Sequence, residues 1–90
     1  MKSFDIKIDE KYFNLLWRSL TERENELEVE IRNCDPDSDD AALIGNDLVY
    51  LRLCKKDLKE KAIDENFSDG AFSLEDKYID ISELWIKSNN

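Results

Sequence analysis

The residues that could do chemistry are few and of narrow kinds. Asp35, Asp37 and Asp39 spell D-x-D-x-D, the opening of a calcium-binding EF-hand loop. The rest of that loop does not follow. Its sixth position needs a glycine and holds Asp40, its twelfth needs a bidentate glutamate and holds Asn46, and Pro36 occupies the second. The run reads instead as a helix start decorated with acids, which the helix dipole favours. Cys34 and Cys54 are the only thiols, there is no C-x-x-C, and histidine is absent. A zinc site of four Cys and His ligands within one chain is therefore excluded. A cysteine nucleophile would have no imidazole base beside it. If its helix is continuous, Cys54 lies about 24 Å along the axis from the turn that holds Cys34, and a disulfide allows only about 7 Å. Cys54 thus reads as a small core residue and Cys34 as an exposed thiol. Carboxylates are so common that the closeness of any two carries no information. General acid–base work needs one with a shifted pKa in a concave site. No position is assigned a catalytic, cofactor-binding or metal-ligating role, and binding without chemistry is the expectation.

The charge narrows what could be bound. The 90 residues hold 22 acids against 13 bases, a net charge of -9. Such a surface is repelled by phosphate backbones and by anionic membranes, so neither direct nucleic-acid binding nor membrane binding is expected. A basic protein partner is electrostatically easier. Residues 34–47 carry five acids and no base, the steepest excess along the chain. The length predicts one domain over 1–90 with a small core. No apolar run reaches the roughly 18 residues needed to span a bilayer. Met1 to Glu10 lacks the apolar stretch of an export signal, so the cytoplasm is the expected compartment.

The elements that must position any binding surface read as mostly α. Phe4, Ile6 and Ile8 alternate with Asp5, Lys7 and Asp9, which predicts an extended N-terminal arm or a short strand. From an N-cap at Asp9 to about Asn33, Phe13, Leu16, Leu20, Leu27 and Ile31 keep helical spacing, with Arg23 weakening the stripe. Pro36 and its neighbouring aspartates predict a turn. A second helix runs from about Ser38 to about Glu65, with Ile44, Leu48, Leu51, Leu58 and Ala62 on one stripe and Lys55 interrupting it. Gly45-Asn46 is a candidate break. Asp69-Gly70 signals a further turn. Leu74, Tyr78, Ile81 and Trp85 then predict a short C-terminal helix, against a rival in which Tyr78–Ile81 forms a strand with the arm. The expected architecture is an antiparallel two-helix hairpin, a short C-terminal helix across its seam and an extended arm.

Within that frame Leu43, Val49, Tyr50 and Leu53 are surplus. They lie off the inward stripe, so the second helix is apolar over much of its circumference and must be covered on more than one side. These four, with the large aromatics Trp17 and Trp85, are the candidate partner-binding residues. Helical spacing gives the aromatics a core role as the alternative. The C-terminal helix would cover part of the second helix, and a second copy of the chain would cover the rest. Two functions follow as expectations. One is a small acidic interaction protein, non-enzymatic and self-associating through that face. The other is an acidic inhibitor, an immunity protein or nucleic-acid mimic that blocks a basic nuclease or DNA-binding protein. The acids around the turn already serve to start a helix, which leaves fewer of them for mimicry.

Overall fold

The structure, a computed structural model, describes residues 1–75. In chain order these form an arm over 1–9, helix α1 (Glu10–Asn33), a tight turn, helix α2 (Asp39–Asp64) and a 3-10 turn (Asp69–Phe72). The two helices form a hairpin with the 3-10 turn packed on α1. Among the described residues there is no strand: the arm is irregular, with Ile8 packed on the core and Phe4 and Ile6 exposed. The C-terminal helix expected from Leu74 to Trp85, and its rival strand at Tyr78–Ile81, lie outside the described residues beyond Glu75.

Each boundary has a local cause. Asp9 caps α1, its carboxylate accepting from the Tyr12 amide at 2.8 Å. Cys34 closes α1 and takes no part in a disulfide; it is half-buried rather than exposed. In the turn, the Asp35 carboxylate accepts from the Asp37 amide at 3.0 Å. The Ser38 hydroxyl donates to the Asp35 carbonyl and accepts from the Ala41 amide, which caps α2. Asp39 and Asp40 then fill the first turn of α2. Gly45-Asn46 breaks nothing, because α2 is continuous through both residues. At its far end Asn66 takes the left-handed conformation (φ 60°). The Phe67 amide donates to the Ala62 carbonyl at 2.9 Å and the Asn66 amide to the Ile63 carbonyl at 3.0 Å. This is a Schellman ending, and its usual hydrophobic contact is made by Phe67 within the cluster around Ala62.

The two helices meet along matching seams. On α1, Phe13, Trp17, Leu20, Glu24, Leu27 and Ile31 recur in steps of four and three. On α2 the same alternation runs through Ala41, Ile44, Leu48, Leu51, Lys55, Leu58 and Ala62. This is the spacing of an antiparallel coiled coil. Toward the turn, Leu27, Leu48 and Leu51 are buried, flanked by Leu20 and Ile44. Toward the open end, Phe13, Ala62 and Ala71 are buried, flanked by Ile8, Trp17, Leu58, Phe67 and Phe72. Here the rings of Phe67 and Phe72 stand edge-on to Phe13 at 5.6 and 5.1 Å, and Trp17 stacks on Phe13 at 5.7 Å. Such pairs add about 0.5–1.5 kcal/mol each beyond burial.

Candidate functional site

Between the two apolar clusters lies one charged layer. Lys55, the interruption in the α2 stripe, donates to Glu24 of α1 at 3.0 Å and sits 4.5 Å from the Trp17 ring centre. Arg52 bridges Glu24 at 2.9 Å and also reaches Glu28. Burial disfavours the ionised Glu24 carboxyl, but hydrogen bonds and charge from Lys55 and Arg52 outweigh it and hold its pKa below the usual glutamate value. The side chains of Lys55 and Glu24 are only 15% and 18% exposed. A slip of one heptad would set Glu24 against Leu48 or Ala62 and leave a half-buried charge unpaired, so this layer selects the register. Its groups are spent on one another, and it holds the hairpin together rather than presenting a site.

A second polar device is deeper still. Asn14 is wholly buried. Its amide donates to the carbonyls of Ala71 at 3.0 Å and Ser73 at 2.9 Å, with a longer approach to Gly70, while its oxygen accepts from Arg18. Glu10 accepts from the amide and hydroxyl of Ser68 at 3.0 and 3.2 Å. Together they tie the 3-10 turn to α1. Among the described residues no three His, Cys, Asp or Glu side chains converge as a metal site, and no helix is long and apolar enough to cross a membrane.

Among the described residues, nothing covers the outer face of α2. Leu43, Val49, Tyr50 and Leu53 are 63%, 59%, 61% and 55% exposed. With Ala42 and Asn46 they form a stripe pointing away from α1, and Ala42, Asn46, Val49 and Leu53 repeat the four-three-four spacing of the inner seam. The stripe is apolar apart from Asn46 and ends at Lys56 and Asp57. Tyr50 also borders a shallow groove of about 380 Å³ that reaches Leu20, Leu27 and the half-buried Cys54. Thus the structure brings four of the sequence-derived candidates onto one surface. It places Trp17 elsewhere, half-buried among Phe13, Phe72 and Lys55 at the inner seam. Trp85 lies outside the described residues.

Charge is distributed lengthwise. Residues 22–47, the half of the hairpin around the turn, contain ten acids and two bases, a net of -8 out of the chain's -9. Part of this is neutralised where Arg23 pairs with Glu26 and Glu30, Arg32 with Glu28, and Arg52 with Glu24 and Glu28. Compared with known proteins, the chain matches no family model, no curated protein and no solved structure.

Proposed function

We propose that this chain is a small, acidic, non-enzymatic interaction module of the cytoplasm that binds a protein partner through the outer face of α2. The observation that carries the reading is the apolar stripe of Leu43, Val49, Tyr50 and Leu53, each more than half exposed on a helix whose opposite side already fills the core. Contiguous apolar surface of this kind, rimmed by charge, characterises protein-binding sites. Aromatic anchors such as Tyr50 commonly dominate their energetics. Neither nucleic acid nor a membrane is the partner in this reading, since the net charge opposes both.

The second reading keeps the acidic inhibitor, an immunity protein or nucleic-acid mimic that masks a basic partner. Its support is the net -8 gathered in residues 22–47. Against it stands the structural use of those acids: Glu24 and Glu28 hold Arg52, and Asp35, Asp39 and Asp40 build the turn and the start of α2. Capture experiments with the immobilised chain at low and high salt separate the two. Binding that survives high salt and is lost in Leu53→Glu supports the apolar face. Binding that disappears at high salt and is indifferent to Leu53→Glu supports the acidic surface.

A further inference from the structure

We infer that the occupant of the outer α2 face is a second copy of the same chain, with the two α2 helices running antiparallel about a two-fold axis beside Val49 and Tyr50. This rests on the proposed role of that face and adds its partner and orientation. Two observations carry it. The first is spacing: Ala42, Asn46, Val49 and Leu53 form a coiled-coil seam that repeats the inner one, flanked by Leu43 and Tyr50. A self-complementary stripe on one helix is what an isologous interface requires.

The second observation is charge, which decides the direction. Residues 34–47 carry five acids and no base, whereas residues 48–66 carry five bases and four acids. A parallel pair would lay the acidic starts of both helices side by side. An antiparallel pair sets the start of one α2 beside residues 56–61 of the other, where Asp39 lies opposite Glu60 with Lys56 and Lys61 flanking it, and three lysines against Asp57 and Glu60 give that segment a net charge of +1. Asp39 and Asp40 also serve the start of α2, but none of the charged residues of these two segments forms an ion pair among the described residues. In this register Leu53 of each copy packs beside Asn46 of the other, Val49 and Tyr50 meet across the axis, and Leu43 lies opposite Lys56. The result is a four-helix arrangement with the α2 pair at its centre and α1 outside. A helix pair of this length buries on the order of 1,000 Å² in total, at the low end for a specific interface and in the range of weak association.

The test uses full-length chains carrying Cys34→Ser and Cys54→Ser. Mixed Leu43→Cys and Lys56→Cys chains at about 100 µM should form the heterodisulfide under mild oxidation. Leu43→Cys chains alone should link at least tenfold less, because their cysteines would sit about 20 Å apart along the antiparallel pair. Self-linking of Leu43→Cys as efficient as the mixed reaction would overturn the antiparallel arrangement. Sedimentation velocity supplies the second arm. Wild type should pass from monomer to dimer between about 1 and 500 µM, and Leu53→Glu should remain monomeric with unchanged helical circular dichroism. A wild type that is monomeric throughout overturns the self-pairing. Capture that still depends on Leu53 would then leave the interaction role standing with another partner, whereas capture indifferent to Leu53 would remove that role as well.

Discussion

The side chains that matter most to this fold are polar residues in apolar settings. Asn14 satisfies carbonyls 57 and 59 residues further along the chain. Replacing it with Ala strands those carbonyls and opens a small void, so Asn14→Ala should cost about 2–4 kcal/mol in urea denaturation. Nothing in the local pattern marks Asn14, since its partners become neighbours only through tertiary packing. Glu24 is different, because part of its role was readable. The stripe of α1 weakens around Arg23 and that of α2 is broken by Lys55, and the structure places Glu24, one residue from Arg23, opposite Lys55. Taking the four-three steps through Trp17 and Glu24 instead of Leu16 and Arg23 would have revealed the charged layer. Because the folded pKa of Glu24 lies below its unfolded value, its ion pairs contribute fully above the unfolded glutamate pKa, near 4.3, and the contribution is lost as pH falls through the lower folded value. Glu24→Gln should therefore lower stability at pH 7 and flatten its fall between about pH 5 and 3, measured by thermal melts across that range.

At the scale of elements, the two helices were legible because their signals are local. Asp9, Pro36, Ser38 and the apolar periodicity set their ends within a residue or two. The stop at Asn66 was legible in kind, since Asn at that position suits the left-handed conformation. What was not legible is the role of the segment after it, because Phe67 lies in irregular backbone and Phe72 ends a four-residue 3-10 turn, neither with periodicity, yet together they supply half of the aromatic cluster. Two substitutions test the account of α2. A Cβ at Gly45 would meet Ile31 at 3.5 Å, an ordinary contact. Gly45→Ala should therefore stabilise the chain by about 0.5–1 kcal/mol, raising the melting temperature by several degrees. Ser38→Ala removes the cap that accepts from the Ala41 amide at 3.1 Å and should cost about 1 kcal/mol by the same measurement.

Over the whole molecule, the two sides of α2 serve different ends. One side joins α1 through a coiled-coil seam closed by a charged layer; the other carries a similar seam with nothing packed on it among the described residues. The surplus of apolar residues between Leu43 and Leu53 was visible in the sequence. So was their outward face, because Leu43, Val49, Tyr50 and Leu53 lie off the inward stripe and the structure leaves all four exposed; what was not visible is the charged layer of Glu24, Arg52 and Lys55 that pairs the inward stripe with α1. The direct test is thermal unfolding of wild type and Leu53→Glu at about 5 µM and 500 µM. If the outer face serves association, the wild-type midpoint rises with concentration, that of Leu53→Glu does not, and the two coincide at the lower concentration. A Leu53→Glu chain destabilised equally at both concentrations would contradict the claim, since the face would then be covered within its own chain.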